Sequence, residues 1–241
     1  MIKIGKDTSN FSICSCQPES FKELKRIIKV RIDEEGPECD LNDIDVSLIY
    51  DMSYLFYNTG FAGNVSRWNV SNVTDMSYMF AWTEFNGDIS NWNVSKVNDM
   101  ACMFTHSKFN GDLSDWNVSN VKKMMGMFYE SDFNSDISRW NVSNVKNMSF
   151  MFFKTKINCD LSDWDVSNVT NMESMFSDSE FNGDISKWNV SNVINFEHMF
   201  FHSKFNQDIS KWETTPNCNA KGVFTGCSIK DEFKPVFKPA M

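Results

Sequence analysis

A 24-residue period dominates the sequence and limits what the chain can fold into. Tryptophan recurs at this spacing at Trp68, Trp92, Trp116, Trp140, Trp164, Trp188 and Trp212. Phenylalanine recurs at Phe56, Phe80, Phe104, Phe128, Phe152, Phe176, Phe200 and Phe224, and a third series is Phe61, Phe85, Phe109, Phe133, Ile157, Phe181 and Phe205. A copy of 24 residues is too short to close a core of its own, so the copies must stack to bury a shared one.

The first half of each copy has the spacing of a short helix. In the copy VTDMSYMFAWTEFNGDISNWNVSK, the residues Val73, Met76, Met79 and Phe80 are three or four apart, which places them on one helical face. Asp75 precedes this face, where an N-cap side chain accepts backbone N–H groups. The same slot holds Asp51, Asp99, Lys123, Asn147, Asn171 and Asn195.

The second half of each copy has the alternation of a short strand. Ile89, Trp92 and Val94 would share one buried face, and Asn86 with Gly87 marks a turn between the halves. Strands of successive copies would pair in parallel. The sequence therefore predicts an α/β repeat solenoid with one short parallel strand and one short helix in each copy.

The chain divides into four predicted parts. These are a flexible N-terminal segment (1–18), a capping helix with a degenerate first repeat (19–48), seven repeats (49–212) and a C-terminal cap and tail (213–241). Ser20 and Glu23 have the spacing of a capping box, and Leu24 and Ile28 share a helical face, which predicts a helix that caps the core.

A longer motif resembles a known family. The run FNGDISNWNVSNVTDMSYMF is similar to repeats of the BspA-like leucine-rich-repeat surface proteins, in the branch described as a mycoplasma domain of unknown function. The resemblance covers about residues 20 to 228. It implies a right-handed, leucine-rich-repeat-like coil, a mainly bacterial origin, and adhesion or matrix binding at a cell surface.

Charge and cysteine content restrict the environment and the partners. The net charge of −9 disfavours nucleic-acid binding, and the sequence has no apolar run long enough to span a bilayer. Without a signal-peptide pattern the chain reads as cytoplasmic, whereas the resemblance implies a cell-surface or secreted protein. Seven cysteines fall out of register with the repeat, which predicts free thiols rather than a disulfide framework.

Recognition is predicted in the slot before each tryptophan, where an outward side chain varies between copies. We name these residues the charged column: Arg67, Asn91, Asp115, Arg139, Asp163, Lys187 and Lys211. Neighbouring columns repeat almost unchanged. For the Asn slot after each tryptophan and the Ser slot that follows, we favour hydrogen-bonded ladders over ligand contact. The Asn86 column is predicted to bond to loop backbone. The Asp88 column is predicted to cap turn amides rather than to bind Ca²⁺.

No residue pattern indicates catalysis or a cofactor. The three histidines and the Cys14 to Cys16 pair lack the further ligands of a metal site, and no phosphate-binding loop or nucleophile motif is present. The sequence predicts a non-enzymatic module that binds a protein partner, with end-to-end self-association at the C-terminal end as a further expectation. The alternative is a structural scaffold without a dedicated ligand site.

Overall fold

The computed structural model describes residues 16–237 of the chain. Within this range there is one α-helix, α1 (Phe21–Glu35), and one short 3₁₀ helix (Asp231–Phe233). The only β pairing among these residues consists of isolated parallel bridges, most of which join residues 24 apart. Most of the predicted flexible segment, residues 1–15, lies outside the described residues.

The predicted α/β solenoid with a strand and a helix in every copy is wrong. Helix accounts for only 8% of the chain and strand for 5%, and residues 16–237 contain one α-helix and no sheet, so the right-handed, leucine-rich-repeat-like coil implied by the resemblance is also wrong. The copies stack on one another through main-chain hydrogen bonds, but each copy is built almost entirely from turns.

The first half of each copy is a run of turns, which we name the turn run. Two residues in each run have a left-handed backbone, such as Tyr78 (φ 57°) and Trp82 (φ 57°), and this interrupts the hydrogen bonding of an α-helix. Alternate N–H groups bond to the next copy instead: the amide of Met76 donates to the carbonyl of Asp99 (3.0 Å), and that of Phe80 to Met103 (3.0 Å). Met76, Met79 and Phe80 are fully buried, so the spacing correctly predicted burial but not the conformation.

The second half of each copy turns too sharply to form a strand. The amide of Trp92 donates to the carbonyl of Ile89, and that of Val97 to Val94, so the backbone bends twice within nine residues. Bonds between copies here come partly from side chains: the indole Nε1 of Trp92 donates to the carbonyl of Val65 (3.2 Å). Trp92 and Val94 are buried as the alternation predicts.

The slot predicted to cap helices caps turns instead. Asp75 pairs in a parallel bridge with Asp99, and the series continues to Asn219. The Asp75 carboxylate accepts the amide of Ser77 two residues later (2.8 Å), a local bond typical of Asp and Asn in turns. Lys123 has no acceptor, and its ammonium group contacts the Asp99 carboxylate at 2.7 Å.

The core consists of aromatic columns that follow the stacking direction. The rings of Phe80 and Phe104 are nearly parallel with centroids 5.8 Å apart, and Phe80 also stacks on Phe85 within its own copy at 4.1 Å. All three side chains are completely buried. Burying a phenylalanine contributes roughly 2–3 kcal/mol, so the repeated rings supply much of the stabilisation.

Both ends of the stack are covered by residues outside the regular copies. Helix α1 buries Leu24 and Ile28 against the first copy, and the Ser20 hydroxyl accepts the amide of Glu23 (3.3 Å), as the capping-box pattern predicted. In a capping box the Glu23 carboxylate would accept the amide of Ser20, but here it accepts the amide of Glu19 instead. At the other end, Phe237 packs against Phe196 and Phe224.

Candidate functional site

The charged column forms one exposed line along the stack. All seven predicted residues are exposed: Arg67, Asn91, Asp115, Arg139, Asp163, Lys187 and Lys211. Only Arg139 and Asp115 are paired with one another in the described structure, at 3.5 Å, and both side chains are at least three-quarters exposed. Exposed pairs of this kind contribute little to stability, so these side chains are available to a partner but are not organised into a site.

A shallow depression of about 530 Å³ lies beside two residues of the charged column, Arg139 and Asp163. Its wall includes Asp160 and Asp165, and hydrogen bonds from Ser162 and Ser167 lower the pKa of these two carboxyls below the ordinary value. Both carboxylates are therefore charged at neutral pH. Polar and charged side chains make up most of the lining of the depression, which is unlike the mainly apolar pockets that hold small molecules.

The nearly invariant polar columns have structural partners. The Asn93 side chain accepts the amide of Ser95 within its own copy, so this column does not form the predicted ladder. A ladder does exist three residues later, because the Asn120 amide donates to the Ser95 carbonyl of the preceding copy (2.7 Å). The predicted bond from the Asn86 column to loop backbone is confirmed, since the Asn86 oxygen accepts the amide of Asn110.

The Asp88 column caps turn amides, as predicted. Each carboxylate accepts the amide of the serine two residues later, as in Asp112 with Ser114 (2.9 Å) and Asp184 with Ser186 (2.8 Å). These bonds lower the pKa of five of the carboxyls. The five residues are Asp88, Asp112, Asp160, Asp184 and Asp208.

A second surface, which the sequence reasoning missed, runs along the turn runs. The two left-handed slots of each copy hold residue types that differ from copy to copy, and all of these residues except Gly126 and Ser174 are partly or fully exposed. The first slot holds Tyr54, Tyr78, Cys102, Gly126, Phe150, Ser174, His198 and Gly222, and the second holds Asn58, Trp82, His106, Glu130, Lys154, Asp178, His202 and Gly226. Residue types at these slots range from glycine to tryptophan on the same left-handed backbone, so the backbone does not require an aromatic ring there, although the ring of His198 excludes a side chain at Gly222.

Aromatic side chains gather on this surface over neighbouring copies. We name the set the aromatic ridge: Tyr54, Tyr57, Tyr78, Trp82, His106, Tyr129, Phe150 and Phe153. Tyr54 stacks on Tyr78 at 4.5 Å, and Trp82 stacks on the imidazole of His106 at 3.9 Å. Trp82 is nevertheless half exposed (50%), which places a large apolar surface in water.

Charged and polar groups border the aromatic ridge. Glu130 lies between His106 (Nδ1 to Oε2, 3.6 Å) and Lys154 (Nζ to Oε1, 3.0 Å). Partial burial and the Glu130 carboxylate raise the pKa of Tyr129, and a hydrogen bond with Cys102 together with partial burial raises the pKa of Tyr78. Both hydroxyls therefore remain protonated, so the ridge combines apolar rings with hydrogen-bond donors.

Other kinds of site are not seen in the described part of the chain. Over residues 16–237, no three or more His, Cys, Asp or Glu side chains are grouped so that they could hold a metal ion. No helix in that range is both long and apolar enough to cross a bilayer. The thiols of Cys39, Cys102, Cys159, Cys218 and Cys227 are free, as predicted, while Cys14 lies outside the described residues.

Comparison with known proteins places the repeats in a family. The family model described as "Mycoplasma protein of unknown function, DUF285" matches residues 30–136 and again residues 130–234. The chain belongs to this family. The two matches span nearly the whole DUF285 repeat array, and they carry no assignment of activity. No curated protein and no solved structure matches the chain.

Proposed function

We propose that this DUF285 protein is a non-enzymatic binding module for a protein partner, and that the aromatic ridge is its principal contact surface. The observation that carries the proposal is the exposure of large rings at slots where the fold does not require them. The slot of Tyr54 and Tyr78 is occupied by Gly126 and Ser174 in other copies, with the same left-handed backbone. Tyrosine and tryptophan are enriched among the residues that dominate protein interfaces.

The charged column has a secondary role in this proposal. Its residues are exposed and vary in sign along the stack, so they suit orientation of a partner rather than its main apolar contact. Kinship with BspA-like surface proteins, suggested by the repeat motif, is part of the same proposal and would make the partner an adhesion target. The variable slots of both surfaces supply the specificity.

Affinity capture with matched variants tests the binding proposal. We would compare the wild-type chain with a ridge variant (Tyr78→Ser with Trp82→Ser) and a column variant (Lys187→Ser with Lys211→Ser). A protein that is captured in stoichiometric amount by the wild type and the column variant, but not by the ridge variant, supports the proposal. Equal capture by all three chains contradicts it.

A structural spacer is the second candidate, and one observation favours it. Main-chain bonds join every turn run to the next from Met52, which donates to Asp75, to His202, which donates to Thr225. Such a continuous set of bonds makes a stiff body that could hold attached segments apart. A spacer predicts that no stoichiometric partner depends on the ridge residues.

A further inference from the structure

The main-chain hydrogen bonding between turn runs has a direction, and this direction leaves one edge open. Each run donates N–H groups to the next copy and accepts them from the preceding one through its carbonyls, as Asp75 accepts from Met52 and Ser77 accepts from Tyr54. The first turn run has no turn run before it. Among residues 16–237, no N–H group donates to its outward carbonyls, which belong to Asp51, Ser53, Leu55 and Tyr57.

A groove of about 590 Å³ lies beside this carbonyl edge, between the first turn run and α1. Its floor is apolar and is formed by Phe21, Ile28, Ile32 and Leu55. The volume accommodates roughly four or five residues of extended chain, and it is far too small to hold the end of a folded domain. The groove is therefore sized for a short segment of polypeptide.

The rim of the groove is basic, although the protein as a whole carries a net charge of −9. Lys22, Lys25, Arg26 and Lys29 line it, and Asp33 is the only acidic residue among the described lining residues. All four basic side chains are exposed, and only Lys25 has a hydrogen-bond partner on the first run, the carbonyl of Tyr54 (3.3 Å). The local charge favours an acidic ligand.

The chain already covers the neighbouring part of the same end with an extended segment of its own. Cys16 forms a parallel bridge with Ile44, and its carbonyl accepts the amide of Asp45 (2.9 Å). The Gln17 amide bonds to the side chains of Asp45 and Ser47. This segment shows that the end of the stack accepts an added extended chain through main-chain bonds.

We propose that the groove beside α1 binds a short, extended, acidic peptide segment of a partner protein. Its N–H groups would donate to the open carbonyl of Tyr57, which lies in the sequence between the groove residues Leu55 and Thr59, as a strand adds to a sheet edge in other recognition domains. An apolar side chain would occupy the floor, and its carboxylates would face Lys22 and Lys29. The groove would use the carbonyl of Tyr57, whereas the aromatic ridge presents its ring, and the charged side chains of the groove lie outside the ridge, so this proposal can fail or hold independently of the proposed function.

Peptide binding to the full chain tests the inference. The probe is the capped, fluorescein-labelled hexapeptide Asp-Glu-Phe-Asp-Leu-Glu, compared by fluorescence anisotropy with its Asn/Gln counterpart and with an all-lysine counterpart. We expect saturable binding of the acidic peptide below about 1 mM, at least about tenfold weaker binding of the neutral peptide, and none of the basic one. Absence of saturation, or equal affinity for acidic and neutral peptides, would overturn the proposal.

Variants with reversed charges test whether the acidic peptide binds at the rim of the groove. Lys22→Glu with Lys29→Glu should weaken acidic-peptide binding about tenfold or more, because two favourable charges become unfavourable. The matched control, Lys122→Glu with Lys146→Glu, reverses two exposed lysines far along the stack and should bind like the wild type. Tryptophan-fluorescence unfolding curves establish that both variants are folded, and an equal loss in both variants contradicts a specific groove.

Two other occupants give distinct results. Sedimentation of the wild type across a range of concentrations tests a second copy of the chain, and flotation with phosphatidylserine-containing vesicles tests an anionic membrane. A dimer lost in the Lys22/Lys29 variant, or vesicle binding without peptide binding, overturns the peptide assignment. A monomer that binds the acidic peptide and does not bind the vesicles supports the peptide assignment.

Discussion

The imidazole of His198 occupies the space into which a side chain at Gly222 would project. A Cβ atom built on Gly222 lies 2.6 Å from Nε2 of that ring, well inside van der Waals contact. The left-handed backbone does not itself demand glycine here, because Tyr78 and Phe150 have the same conformation in their own copies. Glycine is required at this slot by the ring of the preceding copy.

Replacing Gly222 tests this relationship. Gly222→Ala should lower the free energy of unfolding by about 1–3 kcal/mol, because the new methyl group overlaps the His198 ring. His198→Ala should remove most of that cost when the two substitutions are combined. A double-mutant cycle in denaturant measures the coupling, and purely additive effects would show that the contact is not the cause.

The indole N–H groups are predicted to stabilise the contacts between copies. Trp140→Phe leaves the Leu113 carbonyl, which accepts the indole N–H at 2.9 Å, without its partner in a buried site. We expect a loss of about 1–3 kcal/mol in unfolding free energy. The exposed Trp82 is the matched control, because Trp82→Phe removes no buried bond and should change stability by less than about 0.5 kcal/mol. Similar losses for the two variants would contradict this role.

Lys96 departs from the ladder of asparagine amides, and restoring asparagine there should stabilise the protein. Asn120 and Asn144 donate their amides to serine carbonyls of the preceding copy, whereas the equivalent Lys96 contacts the side chain of Asn72. Lys96→Asn should add a bond to the Ser71 carbonyl and raise the unfolding free energy by about 0.5–1.5 kcal/mol. Thermal unfolding measures the change, with the exposed Lys187→Asn as a control of equal charge change. A variant no more stable than that control would count against the bond.

These predictions depend on contacts between copies, and the sequence specifies such contacts unevenly. Spacing alone predicts the period, the shared core and the burial of Met79, Phe80 and Trp92. The reason is that side chains 24 residues apart are buried alike in successive copies. The backbone conformation does not follow. A run of four-residue turns places apolar side chains at the same intervals as a helix, and the left-handed backbone of Tyr78 and Trp82 carries no clear sequence signal, since neither residue is glycine.

The sequence predicts one of the two candidate surfaces, the charged column, but not the aromatic ridge. The charged column follows from the sequence because Arg67 and its counterparts flank an invariant tryptophan, and those residues are exposed as expected. The aromatic ridge does not follow from it, because the apolar spacing predicts a helix in the first half of each copy, which contains Tyr78 and Trp82. One sequence feature does indicate the ridge: the residue type varies between copies at the position shared by Asn58, Trp82 and His106. The exposure of that position, however, depends on the turn geometry.

Acidification should destabilise the protein through the aspartates that cap turns. Serine amides lower the pKa of Asp112 and its counterparts below the ordinary value of 3.8, so their stabilising effect is complete above that value and is lost as pH falls through the lowered pKa. A variant with five substitutions to asparagine keeps the acceptor oxygens at every pH: Asp88→Asn, Asp112→Asn, Asp160→Asn, Asp184→Asn and Asp208→Asn.

Unfolding free energies between about pH 6 and pH 2 should therefore fall less steeply for this variant than for the wild type. The control is Asp163→Asn, because among the described residues the Asp163 carboxylate accepts no main-chain amide. Parallel curves for the wild type and the five-substitution variant would mean that the serine bonds do not contribute to the acid dependence.

Site-specific photo-crosslinking measures the central claim, that the aromatic ridge contacts a protein partner. Trp82 is replaced by p-benzoylphenylalanine in one chain and Lys146 in a control chain, and each is irradiated in extract of the cells that produce the protein. Both positions are exposed, so both reagents can reach a partner. We expect a discrete cross-linked protein at position 82 that is absent or much weaker at position 146. A cross-link at position 146 alone, or at neither position, would contradict the claim.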